Sequence, residues 1–172
     1  MWKTIFSRRS IRSYTGEKAS PDQLQQVLKA GQAAAVGRGR YDSIHLTVIS
    51  KQAVLNAVED HVSKLMGEEV HPLFGAPQMI LISVKPGGKE ADSVELSSVG
   101  CIAQNMSLAA TELGLGSCLI WGAVGRVAKT DLVRQFELPE GYLPVGGVIL
   151  GQTREQFSED SDRHHIEVQY LD

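Results

Sequence analysis

Residues 93–121 read SVELSSVGCIAQNMSLAATELGLGSCLIW. Val99, Ile102, Met106, Ala109, Ala110 and Leu113 recur at helical spacing, so 93–113 is expected to be the longest helix of the chain. Gly114 stands where a left-handed residue ends a helix. Gly100, Ala103, Ser107, Ala109 and Ala110 are small and permit close backbone approach, which suits a central, buried helix. The apolar run Ser117 to Trp121 that follows reads as a short strand, making this a domain of mixed helix and strand.

The pattern extends outward on both sides. Toward the N-terminus, Met79-Ile80-Leu81-Ile82 is the continuous apolar run of an interior strand, and Ile44 to Ile49 alternates as a half-buried one. Between them Val54, Leu55, Val58, Val62, Leu65 and Met66 form a helical face. Ser20-Pro21-Asp22-Gln23 is a helix start with a capping serine, a first-turn proline and Gln23 placed to close a capping box. Leu24, Val27, Leu28 and Ala34 continue that helix, and Trp2, Ile5 and Phe6 give a short first one. Toward the C-terminus, Asp131 to Phe136 reads as a short helix and Pro144 to Leu150 as a strand loosened by Gly146 and Gly147. Ile166, Val168 and Tyr170 alternate as a last strand. Pro86-Gly87-Gly88-Lys89 is a loop too short to link domains. The expectation is a single α+β domain over residues 1–172, with four or five strands.

A 42 % hydrophobic, 22 % charged composition excludes disorder and fibrous architectures. Seventeen basic against twenty acidic residues, a net charge of -3, leave no overall field for nucleic acid or an anionic membrane. Any anion site must be local. Cys101 and Cys118 lack CxxC spacing and sit among apolar or small residues, which reads as reduced, buried thiols. The N-terminal residues have no secretory pattern, and no apolar stretch approaches the ~20 residues that span a bilayer. The chain therefore reads as soluble and cytoplasmic.

Familiar chemistry motifs are missing. Gly37-Arg38-Gly39-Arg40-Tyr41-Asp42 and Gly114-Leu115-Gly116-Ser117-Cys118-Leu119 both lack the third glycine of a dinucleotide fingerprint and its strand-before, helix-after context. His164-His165 would point to opposite faces of a strand and reads as solvated rather than metal-binding. Neither Ser10 nor Ser117 lies in a nucleophile motif. The strong local feature is Arg8-Arg9-Ser10-Ile11-Arg12: with Lys3, the first sixteen residues carry four positive side chains and no acid. Guanidiniums and a serine hydroxyl suit a phosphate. The plain alternatives are a solvated basic end or a kinase recognition sequence. A second cluster, Ala33 to Arg40, ends a helix in a glycine-punctuated basic loop before a strand; its alternative is dipole complementation by Arg38. A third is Ser117 to Ala123, a strand end beside Trp121, which could equally belong to the core.

These segments, in this order, resemble the FMN-dependent nitroreductase family. Arg8 to Tyr14 resembles its opening basic motif, and Ala34-Ala35-Val36-Gly37-Arg38 lies where it has a small-residue loop. Gly75-Ala76-Pro77-Gln78-Met79-Ile80 resembles the entry to its next central strand. Gln104 to Ala110 with Leu113 to Ser117 resembles its central helix and turn, and Gly141 to Pro144 with Ile149 to Gly151 its closing strand. The resemblance implies a central mixed or antiparallel sheet of four to five strands flanked by helices, in a homodimer with FMN at the interface. It implies that Arg8, Ser10 and Arg12 hold the phosphate, ribityl chain or pyrimidine edge, with Arg9 adjoining. It places Val36, Gly37 and Arg38 against the flavin across the subunit boundary, Ile120, Trp121 and Gly122 along the ring near N5, and Arg163 as a late phosphate-binding residue. Three departures stand out: the family's Pro-Ser is Val36-Gly37, its Asn is Arg40, and its Gln-Pro-Trp is Asp42-Ser43-Ile44. The implied activity is ping-pong hydride transfer from NADH or NADPH through flavin N5 to a nitroaromatic, quinone or similar small acceptor, with no protein nucleophile or acid required. Flavin storage without turnover, reductive dehalogenation and flavin fragmentation remain open on the same scaffold. With 6 % aromatic residues, one 172-residue chain would leave a flavin ring exposed, and a second copy is the simplest cover.

Overall fold

The computed structural model describes residues 1–159 and 166–171. Four strands form one sheet: β1 (Ile44–Ile49), β2 (Gln78–Val84), β3 (Leu115–Ile120) and β4 (Leu143–Gln152), in spatial order β1-β2-β4-β3. Every neighbouring pair is antiparallel. Among the described residues five α-helices accompany it, α1 (Trp2–Ser7), α2 (Pro21–Gln32), α3 (Gln52–Met66), α4 (Ser93–Glu112) and α5 (Gly122–Val127), and the short helix expected at Asp131–Phe136 is a 3-10 helix.

The two-residue period of the strands divides the core into two layers. Met79, Leu81, Cys118, Ile120 and Ile149 face α3, α5 and Phe136. Ile80, Ile82, Leu115, Val148 and Leu150 face the other way, onto Val27 of α2 and Val99, Ile102, Met106 and Ala110 of α4. Helices on both faces explain why β2 is buried along its whole length and reads as a continuous apolar run.

Local chemistry sets the ends of these elements. Ser20 and Gln23 close a reciprocal capping box on α2, and Asp92 and Glu95 close one on α4. Gly114, at φ +71, turns α4 into β3. Gly31 lets α2 and α4 close together, since a Cβ there would lie 2.3 Å from the Met106 methyl.

Three expectations are corrected. The alternating segment at Ile166, Val168 and Tyr170 is not a strand; it pairs with nothing in the sheet and leaves these side chains exposed. Cys101 is exposed rather than buried, because it falls on the outer side of α4, whereas Cys118 is buried in the sheet; both are free. The strand read as ending at Trp121 stops at Ile120, and α5 begins at Gly122. The central sheet is wholly antiparallel, with four strands among the described residues.

Candidate functional site

The N-terminal basic run is fixed to the sheet by its backbone. Beyond α1, Arg8 leaves the helix in an extended conformation, and the Ile11 N–H donates to the Ser117 carbonyl of β3 at 2.9 Å. The chain then crosses to β4, where the Thr15 N–H donates to the Gln152 carbonyl at 2.9 Å. Ile11 is 4 % exposed and its methyl packs on Gly116, where a Cβ would lie 2.9 Å away. Alternation along the extended run accordingly turns Ser10 and Arg12 to the opposite, solvent side. The Tyr14 hydroxyl donates to the Ile11 carbonyl at 2.9 Å. Burial, aided by Cys118 and opposed by Arg12, pushes the Tyr14 phenol well above its ordinary value, so this tie stays a neutral hydrogen bond.

Ser10 and Arg12 line a cleft of about 400 Å³ with Arg9, Glu155 and Gln156. Arg9 is committed locally: its guanidinium donates to the carbonyls of Phe6 at 2.8 Å and Ser158 at 3.1 Å. It ties the C-terminal segment to the N-terminal one. Arg8 is half-buried. Ser10 and Arg12 make no side-chain hydrogen bond or ion pair among the described residues, so the donors of these two lining residues are uncommitted. Two guanidiniums against the single Glu155 carboxylate leave the cleft net positive in a net-negative chain.

The third expected segment belongs to the same strand. Ile120 is buried in the core, Gly122 is exposed, and Trp121 is 40 % exposed, so Trp121 is a surface wall rather than a core residue. Its ring packs on β4 at Gly146, where a Cβ would meet it at 2.7 Å. Gly146→Ala is therefore expected to displace the indole, read as a shift of Trp121 emission in a Trp2→Phe background; unchanged emission would refute this packing.

The small-residue loop lies elsewhere. The Gly37 N–H donates to the Ser98 hydroxyl at 2.9 Å, and a Cβ at Gly37 would meet a Val94 methyl at 2.1 Å. Arg38, at φ +58, pairs with Asp92 at 2.7 Å, and Arg40 pairs with the buried Glu95 at 3.4 Å. Glu95 also accepts from Gly87 and Asp92 N–H groups. These guanidiniums thus fasten the loop to the first turn of α4. Val36 and Gly37 are half-buried beside them. The Asp92 carboxyl is held below the usual range, first by the Glu95 N–H and then by Arg38. A depressed pKa means stabilisation present above the unfolded value of about 3.9 and lost as the pH falls through the folded one. A carbon-detected NMR titration should place Asp92 below free aspartate; a midpoint at or above it would contradict the pairing.

The structure therefore seats the basic run on β3 at Gly116 and Ser117, does not bring Ile120, Trp121 or Gly122 into the lining of its cleft, and separates it from the small-residue loop. The run approaches β3 at one edge of the sheet, with Thr4 bonded to Glu112 at the C-terminal end of α4. The loop feeds β1 at the other edge and grips the N-terminal end of the same helix. A 20-residue helix is about 30 Å long. Arg163 and the pair His164-His165 lie outside the described residues. Among the described residues no helix is long and apolar enough to cross a membrane, and no group of three or more His, Cys, Asp or Glu could hold a metal.

FMN reductase (NADPH) of Bacillus subtilis (strain 168) is 25 % identical over 87 % of this chain, and the NADPH-flavin oxidoreductase of Vibrio harveyi is 28 % identical over 87 %. The chain spans 64 % of the length of each of these two relatives. It spans 85 % of a putative NADH dehydrogenase/NAD(P)H nitroreductase of Methanothermobacter thermautotrophicus, at 27 % identity over 96 % of this chain. In fold it matches a nitroreductase with bound FMN from Desulfitobacterium hafniense DCB-2, with a TM-score of 0.79 and 24 % identity over 99 % of this chain and 97 % of that one. The Nitroreductase family model matches residues 5–152, from α1 to the end of β4, and on that match the chain belongs to the nitroreductase family.

Proposed function

We propose that this chain binds FMN in the cleft of Ser10 and Arg12 and acts as an NAD(P)H-dependent oxidoreductase, two copies forming the working unit. The observation that carries this reading is the cleft itself: uncommitted hydroxyl and guanidinium donors, mounted on β3, in a chain whose overall charge offers anions nothing. That donor set fits a phosphate or a pyrimidine edge, because both offer oxygens to planar N–H donors. The names of the relatives, among them a flavin oxidoreductase and an FMN reductase, point the same way.

When bound, FMN supplies the hydride chemistry between NADH or NADPH and a nitroaromatic, quinone or similar small acceptor. The chain's own residues bind, orient and shield. Arg12 and Ser10 hold the polar end, with Arg8 and Arg9 adjoining. The Tyr14 and Ser117 ties to Ile11 keep that run in register with β3, the strand that ends at Ile120, and Ile120, Trp121 and Gly122 would line a bound flavin ring. Trp121, packed on Gly146 and 40 % exposed, would offer such a ring an apolar wall.

Supporting a homodimer, the loop of Val36, Gly37 and Arg38 cannot reach this cleft within its own chain, being at the far end of α4 and the opposite sheet edge. The exposed apolar side chains of Ile166, Val168 and Tyr170 also lack a partner within one copy among the described residues. The salt bridges of Arg38 and Arg40 make that loop a shaped, charge-neutralised surface, so its contribution across a subunit boundary is through backbone and Val36 rather than free guanidinium charge.

The test is addition of excess FMN to colourless protein, or removal of flavin from yellow protein, with thermal melting. Binding to the folded state alone raises stability by RT ln(1 + [FMN]/Kd), about 2.7 kcal/mol at a hundredfold excess over Kd. Sedimentation should report two chains per particle. A monomer whose melting ignores FMN would contradict the reading and favour a phosphoprotein-docking role for the basic run.

A further inference from the structure

One side chain beside the cleft is held in a conformation its own type disfavours. Phe74 has φ +52, in the left-handed region that a bulky aromatic seldom enters, and Gly75 follows at φ +73. Such backbone persists only where its surroundings over-determine it. Here they do. The Ser63 hydroxyl of α3 accepts from the Val70 N–H at 3.0 Å and donates to the Val70 carbonyl at 2.9 Å. Glu59 of α3 accepts from the Leu73 N–H at 3.1 Å, and Leu73 is sealed in the core at 1 % exposure. The Phe74 N–H donates to the His71 carbonyl at 2.9 Å, and the Ala76 N–H to the Leu73 carbonyl at 2.9 Å. The turn is thus fixed from α3 on one side and by its own bonds on the other.

Fixing it does not bury the ring. Phe74 remains 37 % exposed, and its ring centre lies 5.5 Å from the guanidinium carbon of Arg12. That separation is within the reach of a cation–π attraction. A ring contact consumes no N–H donor, so it restrains the long Arg12 side chain while leaving its hydrogen-bonding capacity for a ligand.

We propose that Phe74 is a positioning residue, whose left-handed turn, anchored by Glu59 and Ser63, holds the Arg12 guanidinium pre-aimed into the cleft; this rests on the reading of that cleft as the FMN site. The order built into the 63–76 segment is then spent on Arg12, which would otherwise lose side-chain freedom on each binding event.

The experiment measures the Kd for FMN of the flavin-free protein by fluorescence titration, with thermal melting of the same samples. The variants are Arg12→Ala, Phe74→Leu, Phe74→Tyr and the Arg12→Ala/Phe74→Leu pair. An exposed cation–π contact corresponds to roughly a two- to fivefold change in Kd. Phe74→Leu is expected to weaken FMN binding by that factor, Phe74→Tyr to restore it, and Phe74→Leu to add nothing once Arg12 is Ala. Phe74→Asn keeps a residue that tolerates the left-handed backbone and removes the ring, so it repeats the test should Phe74→Leu melt early. If Arg12→Ala binds FMN as tightly as the unmodified chain, the flavin reading of the cleft falls and this proposal with it. If Arg12→Ala weakens binding but Phe74→Leu and Phe74→Asn do not, the proposal alone is overturned. An equal loss from Phe74→Leu in both Arg12 backgrounds also overturns it, because the ring would then act on the fold and not through the guanidinium.

Discussion

Arg12→Ala is expected to weaken FMN binding by about 1.5–3 kcal/mol, roughly tenfold to a hundredfold or more in Kd, while leaving the flavin-free fold within about 0.5 kcal/mol of the unmodified chain. The separation of these two effects follows from the local structure. Arg12 is exposed, and its guanidinium touches the Phe74 ring without forming a hydrogen bond or ion pair among the described residues. Its removal leaves no buried partner unsatisfied. The loss therefore comes from charge-assisted bonds made only to the ligand. Arg9→Ala should behave in the opposite way. Its guanidinium bridges the Phe6 and Ser158 carbonyls, so its removal loosens the C-terminal segment before it affects an anion. Comparing the two variants by FMN titration and melting separates the binding arginine from the structural one.

Gly116→Val is expected to have the larger effect on the molecule as a whole. A Cβ at this position lies 2.9 Å from an Ile11 methyl, 3.0 Å from the Tyr14 ring and 3.1 Å from the Thr153 Cβ. Contacts that short on three sides cannot be relieved by one rotamer change. The run from Ile11 to Tyr14 must lift off β3, breaking the Ile11–Ser117 hydrogen bond that fixes Ser10 and Arg12. Overpacking of this kind costs about 1–3 kcal/mol of stability. It should also abolish the increment in melting temperature that FMN confers. A Gly116→Val protein that melts normally and still responds to FMN would show that the basic run does not need its seat on β3.

Much of this arrangement is legible in the residues. β1 can be read to its ends because Ile44 to Ile49 lies at a sheet edge and alternates, whereas β2 is legible only at its apolar centre, Met79 to Ile82, since polar Gln78 and Ser83 are buried at its ends. The capping boxes at Ser20 and Asp92 are local, four-residue chemistry, and the first is visible as such. α5 is not legible: six residues containing two glycines extend an apolar run, and their helix is packed between β4 and α3. The tail at Ile166 to Tyr170 misleads because alternation specifies a strand only where another strand offers hydrogen bonds. The small-residue loop shows a deeper limit. Arg38 and Arg40 look like ligand donors until Asp92 and Glu95, more than fifty residues away in the chain, arrive beside them. Phe74 gives no sequence signal beyond the glycine after it, since an aromatic in that place reads as core.

The proposed function requires that the Arg12 cleft hold FMN and that the flavin exchange electrons with a nicotinamide nucleotide. Its most direct test is the visible absorption spectrum of the FMN-loaded protein, recorded anaerobically before and after NADH or NADPH is added. The expected result is a flavin spectrum that bleaches with at least one nucleotide and returns when a quinone or nitroaromatic follows. A bound flavin whose spectrum neither nucleotide alters would contradict it, leaving a flavin-holding protein without turnover.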